Sequence, residues 1–372
     1  MAIETTQGAT GDAQVDGLLS GYKWSGVISY SFPDSPADYP SYPNPTAVQY
    51  FSSVSALQRQ AAINAFNLVA SYTNAQFVNN GTNIADMRIG QTSDPSVGTA
   101  YVYYPIASVG GVGADVWFGV QYDYRTALPG NYAYLTMLHE IGHGLGLKHS
   151  QEAGGPAGVA VPAAHDSLEF TVMSYRSFPG GPLTGYTNGP VDFPTTYMMN
   201  DIAALQAMYG ANFTTQSGDT VYAWSPTTGA LTLNGVLQGT PAGNRVFMTV
   251  WDGGGKDTYD FSAYATDLKV NLNPGASSLL SSAQTANLGY GHVAQGNVYN
   301  AYQYANDPRS LIENAIGGSG ADSLLGNAAA NLLEGRAGAD TLSGGAGADT
   351  LVGGDGSDLY ILDRADDQVV ES

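Results

Sequence analysis

Residues 317–361 read GGSGADSLL-GNAAANLLE-GRAGADTLS-GGAGADTLV-GGDGSDLYI, five consecutive blocks of nine residues. The blocks follow the pattern G-G-x-G-x-D-x-U-x, in which U is a large apolar residue. The glycines permit a tight bend, and the eighth residue points into a core between short strands, so the repeat predicts a parallel β-roll. A flexible linker rich in glycine and aspartate would not place an apolar residue every ninth position. The eighth positions are Leu324, Leu333, Leu342, Leu351 and Tyr360.

The same repeats predict calcium sites, because aspartate carboxylates and the carbonyls of a bend are the hard ligands that calcium prefers. The second block has lost its glycine pattern and carries Asn331 in place of the aspartate, so we expect weak binding or none there. Residues 317–372 contain ten acidic and two basic residues, and such a segment should fold only when calcium binds. The candidate ligands are Gly318, Gly320, Asp322, Asn331, Gly335, Asp340, Gly345, Gly347, Asp349, Gly354, Gly356 and Asp358.

A second motif lies far upstream, where residues 139–149 read HEIGHGLGLKH and hold three of the five histidines in the chain. Residues four apart share one face of a helix, so His139 and His143 can point at one ion. Gly146 can end the helix in a left-handed turn that returns His149 as a third ligand. Three neutral imidazoles with an open position are typical of catalytic zinc, and Glu140 suits a general base. The alternative, a buried helix that happens to contain histidines, does not explain this spacing.

Composition narrows the classes of function. The chain has 372 residues, enough for two domains, and its 32 acidic and 12 basic residues give a net charge of −20. This balance argues against nucleic acids and anionic membranes as partners, since both are bound through Lys and Arg. Apolar runs fall short of the roughly 20 residues that cross a bilayer, so no membrane insertion is expected. There is no cysteine, which leaves calcium as the expected source of extracellular stability.

Coarse patterns place these motifs on secondary structure. Alternation predicts a strand, and near-helical spacing of apolar residues predicts helices, one of them with Asn131 as N-cap. A run just before the histidine helix could form an edge strand. These elements are a strand over 27–32, a helix over 55–72, several strands over 84–120 with the edge strand at 113–119, the histidine helix over 131–145 and a helix over 200–209.

A third stretch, Thr-Val-Met-Ser-Tyr at 171–175, could form a floor beneath the metal. Met173 would pack in a tight turn under the imidazoles, and the Tyr175 phenol could reach the metal or a developing oxyanion. Taken singly, each residue is better explained by ordinary core packing or by the abundance of tyrosine in the chain. Together with residues 139–149 they resemble the metzincin pattern, and specifically the serralysins, secreted bacterial zinc endopeptidases that carry an RTX calcium β-roll.

The resemblance covers most of the chain and implies an architecture. It implies an α/β protease domain of the metzincin type, with a twisted, mostly parallel sheet of about five strands and two long helices, followed by an all-β roll. It assigns one zinc ion to His139, His143 and His149, the general base to Glu140, and a switching fifth zinc ligand to Tyr175. The expected boundaries are a flexible N-terminal segment or pro-segment at 1–15, the protease domain at 16–213 and the roll at 214–372.

Further calcium ions at the entry to the roll are implied by the same resemblance. Gln216 and Leu311 stand where the family often has arginine and threonine, and both are expected to donate main-chain carbonyls. The other implied ligands are Gly218, Thr220, Asp252, Gly254, Gly255, Asp257 and Glu313.

The expected function is therefore that of an extracellular zinc-dependent endopeptidase, stabilised by several calcium ions and acting as a monomer on proteins or peptides, surface proteins among them. A substrate strand along 113–119 would read backbone more than side chains, which favours broad specificity. His165 could line the cleft, although a lone loop histidine is more often a surface residue. Since residues 1–13 lack a signal peptide, export by a type I-like route is expected. The family has a further β-domain after its roll, so a truncated chain is expected as well.

Two alternatives stay open at this point. A calcium-dependent binding or adhesion scaffold with a vestigial zinc site would have no need of Glu140. A processing protease of narrow specificity, acting on one surface protein of its own cell, would carry the same motifs.

Overall fold

The computed structural model describes residues 2–40, 42–106 and 113–371. The chain divides into two compact units, Met1–Ala211 and Asn212–Ser372, and the sequence had placed this boundary two residues further along. Among the described residues, none of the helices combines the length and the apolar character needed to cross a membrane.

The first unit contains the three helices that the sequence predicts over 55–72, 131–145 and 200–209, together with two short helices. Ser55 caps the helix over 56–72. Its hydroxyl accepts a hydrogen bond from the Gln58 N–H, and the Gln58 side-chain oxygen accepts one from the Ser55 N–H. Asn131 caps the second by accepting a hydrogen bond from the Tyr134 N–H, as predicted. The helices are α1 (Ala13–Asp16), α2 (Pro45–Gln49), α3 (Ala56–Tyr72), α4 (Tyr132–Gly144) and α5 (Met199–Tyr209).

A mixed sheet of six strands lies against α3 and α4 in the first unit. Its main order is β5-β3-β6-β8-β7, and β4 pairs with β6. Neighbours from β5 to β8 are parallel, whereas β7 and β4 run antiparallel to theirs. The strands of the unit are β1 (Ile3–Thr6), β2 (Tyr22–Ser25), β3 (Ile28–Ser31), β4 (Phe51–Ser52), β5 (Phe77–Asn79), β6 (Met87–Thr92), β7 (Ala100–Val102) and β8 (Val116–Phe118).

The edge of this sheet differs from the prediction. The segment 113–119 does form a strand, β8, but β8 lies between β6 and β7, and the outer strand is β7. All three β8 residues are buried, a continuous apolar run that is typical of an inner strand. Asp115 beside it is buried because Arg88 on β6 pairs with its carboxylate. The edge available for pairing is therefore Ala100–Val102.

The N-terminal segment is more regular than expected. In place of a flexible stretch over 1–15, strand β1 pairs antiparallel with β2, and α1 follows it. Asp12 caps α1 through the Gln14 N–H, and the Asp16 carboxylate accepts from the Thr10 and Gly11 N–H groups. These local bonds order a segment whose composition alone reads as irregular.

The second unit is all-β. Its eight-stranded sheet has the order β11-β10-β9-β13-β19-β21-β23-β25, and a four-stranded sheet has the order β14-β20-β22-β24. The strands are β9 (Val221–Trp224), β10 (Leu231–Leu233), β11 (Val236–Leu237), β12 (Met248–Val250), β13 (Thr258–Asp260), β14 (Lys269–Asn271), β15 (Ser277–Ser278), β16 (Asn287–Gly289), β17 (His292–Val293), β18 (Val298–Asn300), β19 (Asn314–Ile316), β20 (Ser323–Leu325), β21 (Leu332–Gly338), β22 (Thr341–Ser343), β23 (Thr350–Gly356), β24 (Leu359–Ile361) and β25 (Gln368–Val370).

The nonapeptides wind as a parallel roll in which successive blocks alternate between these two sheets. Leu333 on β21 pairs in register with Leu351 on β23, 18 residues further on, and Leu324 pairs with Leu342 in the other sheet. These four leucines are at most 1% exposed and form one core between the sheets. Tyr360, on the outermost strand of its sheet, packs only partly against that core.

Candidate metal centre

Helix α4 presents the first two histidines. His139 and His143 lie one turn apart on the same buried face, and their Nε2 atoms are 3.1 Å apart. Met173 lies beneath this face, because Gly142 of α4 has no side chain and leaves room for the Met173 sulfur. The expected floor of the site at Met173 is therefore in contact with the helix that carries the ligands.

Gly146 produces the turn that brings in the third histidine. Its φ is +111°, in the left-handed region, and a Cβ at this position would overlap the Tyr22 carbonyl. After the turn, His149 returns so that its Nε2 lies 3.0 Å from the Nε2 of His143. The three histidines form a group able to hold one metal ion.

The spacing of the three nitrogens fits zinc. With Zn–N bonds of about 2.0–2.1 Å and tetrahedral angles, two ligand nitrogens lie about 3.3 Å apart. The observed separations of 3.0 and 3.1 Å are within a few tenths of an ångström of that value. Three histidine ligands would leave one position of a tetrahedral zinc ion open for water or substrate.

Each imidazole is also oriented through its other nitrogen. Nδ1 of His139 lies 2.8 Å from the Val172 carbonyl oxygen, and Nδ1 of His143 lies 2.7 Å from that of Leu147. These acceptors fix the tautomer that carries hydrogen on Nδ1, which leaves the Nε2 lone pairs directed at the shared centre.

The partner of His149 is a side chain that the motif did not reveal. Its Nδ1 lies 2.8 Å from Oε1 of Glu152, which is half exposed on the following loop. A carboxylate at this position orients a ligating histidine and raises its basicity. In the sequence, the only indication of this contact is that Glu152 lies three residues after His149.

Two further buried residues support the site from a distance and were also missed. The Asp201 carboxylate at the start of α5 accepts from the Val172 N–H and the Thr171 hydroxyl, and Val172 in turn accepts from His139. The Lys148 ammonium donates to three backbone carbonyls, those of Gly17, Glu152 and Val159.

Tyr175 stands beside the third ligand, with its hydroxyl 2.7 Å from Nε2 of His149. Burial raises the pKa of the Tyr175 phenol to about 12, so the phenol is protonated at neutral pH and can donate a hydrogen bond. His165 is not among the described residues that line the cavity at this site, and its ring stacks on Phe170 with centroids 4.3 Å apart.

Electrostatics at the site are dominated by burial. Burial raises the pKa of Glu140 to about 8 and lowers that of His139 to about 3, with a further contribution at His139 from repulsion by His149. The pKa of His143 lies well below its usual value for the same reasons. Neutral imidazoles are the form that binds metal.

A cavity of about 460 Å³ opens directly onto these groups. His139, Glu140 and Tyr175 line one side, while Thr99 and Ala100, at the start of β7, line another. Four aromatic rings contribute to the remaining wall, those of Tyr122, Tyr132, Tyr186 and Phe193. The outer strand of the sheet and the histidine centre thus share one cleft.

The residues expected to bind calcium at the entry to the roll include a buried acidic cluster. The Asp257 N–H donates to Oε2 of Glu313, Asp257 Oδ1 accepts from the Thr220 N–H, and Asp252 accepts from the Tyr222 hydroxyl. Burial raises the pKa values of all three carboxyls, that of Glu313 to about 7, and repulsion from Asp252 adds to the rise at Asp257. Within the described part of the chain, Asp257 Oδ2 is buried without a hydrogen-bond partner. A buried carboxylate oxygen of this kind is free to bind a cation.

The other residues expected at this site lie on the segments around the cluster. The carbonyls of Gln216 and Gly218 both accept from the Thr220 hydroxyl. Gly254 donates its N–H to Asp252, Gly255 packs against Gly218, and Leu311 is buried two residues before Glu313.

In the repeats, the aspartates form a ladder between successive turns. Asp340 Oδ1 accepts from the Asp322 N–H at 2.7 Å, and Asp358 Oδ1 accepts from the Asp340 N–H at 2.9 Å. On the other side Asp349 Oδ1 accepts from the Asn331 N–H. Oδ2 of Asp340 and of Asp349 has no hydrogen-bond partner among the described residues. The glycines expected to offer carbonyls are divided between connections and strands. Gly318, Gly320, Gly345 and Gly347 lie between strands, whereas Gly335 lies in β21 and Gly354 and Gly356 lie at the end of β23.

Asn331 behaves differently from the aspartates. Its Nδ2 donates to the Glu313 carbonyl at 2.7 Å and to Oδ1 of Asn327 at 3.2 Å, while its Oδ1 accepts from the Asn327 N–H. Both atoms of the amide are therefore engaged within the protein. This geometry supports the expectation that the second block binds calcium weakly or not at all.

Comparison with known proteins places this architecture in a family. The sequence model described as "Peptidase M10 serralysin C terminal" matches residues 211–372. Over 322 residues the chain is 34% identical to "Metalloprotease AprA" of Pseudomonas entomophila (strain L48), an alignment that covers 84% of this chain. It is also 34% identical over 312 residues to "Serralysin B" of Dickeya chrysanthemi, with 80% of this chain covered. The chain belongs to the serralysin family.

The alignments cover only part of the length of these relatives. The alignments cover 60% of the Pseudomonas relative and 58% of serralysin B. A third relative, "Serralysin C" of Dickeya chrysanthemi, is 35% identical over 234 residues, which cover 61% of this chain and 43% of that protein. This serralysin-family chain thus spans about three fifths or less of the relatives it matches.

Proposed function

We propose that this chain is a secreted zinc-dependent endopeptidase. The observation that carries the proposal is a group of three imidazoles in which the His143 Nε2 lies 3.1 Å and 3.0 Å from those of the other two, next to a cleft lined by His139, Glu140 and Tyr175. His139, His143 and His149 would hold the ion. The names of the relatives, metalloprotease and serralysin, support the same reaction class.

The chain's own residues supply the proton transfers. Zinc in the site supplies a Lewis acid that polarises a carbonyl and acidifies water. Burial raises the pKa of Glu140 to about 8, and a cation held by the histidines would lower it again and favour the carboxylate. In that form Glu140, buried at the cleft wall, takes a proton from the attacking water and delivers it to the leaving amine nitrogen. The Tyr175 phenol, protonated at neutral pH, donates a hydrogen bond to the oxygen on which negative charge develops.

Strand β7 supplies the binding edge for the substrate. Thr99 and Ala100 line the cleft with His139, and among the strands that the structure describes β7 pairs only with β8. An extended peptide can therefore add to the sheet at β7 by main-chain hydrogen bonds, in place of the 113–119 segment. Backbone pairing of this kind favours broad specificity, with the aromatic wall of the cavity accepting side chains.

Calcium would hold the second unit in its folded form. The buried Asp252, Asp257 and Glu313 and the aspartate ladder all place carboxylate oxygens against one another, an arrangement that repels itself without cations. We propose calcium at both places, and an extracellular, monomeric protein.

The deciding experiment combines Glu140→Gln with elemental analysis and a peptide-library digest. Glu140→Gln should abolish cleavage while zinc content stays at one per chain, and the library should report many cleavage sites for the wild type. A vestigial site in a binding scaffold would give no cleavage by the wild type either, and a processing protease of narrow specificity would cut only a few peptides. Cleavage by the variant at the wild-type rate would exclude Glu140 as the base.

A further inference from the structure

Asp166 is a buried carboxylate in the loop between the last histidine of the motif and Tyr175. It is 5% exposed, and its Oδ1 accepts from the hydroxyls of Ser150 and Ser174, each at 2.6 Å. Its Oδ2 accepts from Nε of Arg176 at 3.0 Å. One carboxylate thus gathers three side chains from two separate segments.

The positions of these three donors along the chain are informative. Ser150 directly follows His149, while Ser174 and Arg176 are the residues on either side of Tyr175. The backbone between the two segments is joined by the Ser150 N–H and the Met173 carbonyl, but that hydrogen bond is long, at 3.4 Å. Hydrogen bonds to an ionised carboxylate are shorter and roughly twice as strong as neutral ones. The carboxylate is therefore the stronger connection between the segments.

The loop that carries Asp166 is itself fixed to the same segments. The Leu168 N–H donates to the Arg176 carbonyl at 2.9 Å, and the Val161 N–H donates to the Ser150 carbonyl at 2.8 Å. Arg176 also donates through its backbone N–H to the Ser174 hydroxyl at 3.0 Å. A carboxylate held in this way cannot move without moving both of the segments it joins.

We propose that Asp166 is a positioning residue that sets the distance between the His149 imidazole and the Tyr175 phenol, now 2.7 Å between Nε2 and Oη. It acts through Ser150 on one side and through Ser174 and Arg176 on the other, and it touches neither the metal position nor the cleft. The inference rests on the proposed function, since it concerns the placement of a proposed ligand and a proposed oxyanion donor.

The test compares Asp166→Asn with Asp86→Asn, a matched loss of charge elsewhere in the same unit. Asp86 accepts from the Ser29 hydroxyl at 2.6 Å and has no part in the metal centre. Zinc affinity is measured by competition with a chromophoric chelator, and the Co²⁺-substituted proteins are compared by visible absorption. Asp166→Asn should weaken zinc binding by about 10-fold or more, shift the Co²⁺ bands and lower kcat more than it raises KM. Asp86→Asn should leave all of these readouts unchanged.

Ser150→Ala and Ser174→Ala each remove one of the hydrogen bonds to Asp166, so they test separately its connection to His149 and its connection to Tyr175. They also keep the proposal testable if Asp166→Asn fails to fold. Ser150→Ala should act mainly on zinc affinity, through His149, and Ser174→Ala mainly on kcat, through Tyr175. If Asp166→Asn and both serine variants keep wild-type zinc affinity, Co²⁺ spectrum and kcat, the positioning role is wrong while the proposed peptidase stands. If the wild type neither binds zinc nor cleaves peptides, the proposed function itself has failed.

Discussion

The Tyr175 hydroxyl lies 2.7 Å from Nε2 of His149, the same nitrogen that faces the other two imidazoles. The phenol is thus directed at the shared centre from outside the histidine triangle, and its pKa of about 12 keeps it protonated. A group in this position can donate to an oxygen that develops charge next to the metal position without being one of the three histidine ligands.

Replacing Tyr175 by Phe should therefore affect turnover and spare binding. We expect kcat to fall by roughly 10²-fold, the usual effect of removing one oxyanion donor, with KM and zinc content close to those of the wild type. Steady-state kinetics on a fluorogenic peptide and elemental analysis of the same preparation check this. Equal losses of zinc and activity would instead make the phenol a structural ligand.

Glu152 should increase metal affinity through its hydrogen bond with Nδ1 of His149. In Glu152→Gln the amide oxygen can still accept that hydrogen bond but no longer carries the charge that raises the basicity of the imidazole. Zinc affinity should fall by about 10-fold, within the range found when such outer partners are changed. Because Glu152 is half exposed, thermal stability with saturating zinc should not change, and a drop there would point to misfolding.

How far the sequence could specify the site depends on how local each signal is. Ser55, Asn131 and Gly146 act within one helical turn, so their roles as caps and turn could be predicted from neighbouring residues. The contact between Glu152 and His149 could not be predicted with the same certainty, because it depends on the path of the loop that follows His149. The edge of the sheet was misplaced for a similar reason, since Val116–Phe118 and Ala100–Val102 are both short apolar strands and only tertiary pairing decides which lies outside.

The roll shows the same division between local and long-range information. The nine-residue period predicted the four core leucines correctly, because each block of nine forms one strand and one turn of the roll. Nothing in the composition reveals that the Asn331 amide turns its nitrogen toward the Glu313 carbonyl. That orientation follows from the neighbouring turn 18 residues away.

A pH-dependent contribution to stability is expected from Asp201. Burial raises its pKa from 3.8 to about 7, although it accepts hydrogen bonds from Thr171, Val172 and Met198. A pKa that is higher in the folded state means that the folded protein holds the proton more tightly. This contribution is therefore complete below pH 4 and is lost as the pH rises through 7.

Asp201→Asn cannot titrate, so the difference in stability between wild type and variant should shrink as the pH rises from 5 to 8. The measurement is the thermal midpoint of the first unit at fixed zinc and calcium concentrations. Parallel pH profiles for the two proteins would show that Asp201 is ionised throughout this range.

The last prediction concerns Asn331, whose amide nitrogen lies between two oxygens, those of the Glu313 carbonyl and the Asn327 side chain. In Asn331→Asp a carboxylate oxygen replaces that nitrogen, so three oxygens face one another in a buried turn. At limiting calcium the second unit should lose about 1–3 kcal/mol of stability, the usual cost of an unpaired buried polar group. With calcium much of that loss should be recovered, because a cation can sit among the oxygens. Asn287→Asp, at an exposed position on β16, adds the same charge outside a buried turn and serves as the control. Calcium titrations followed by circular dichroism compare the two, and an equal loss at limiting and at saturating calcium in Asn331→Asp would show that no cation enters this turn.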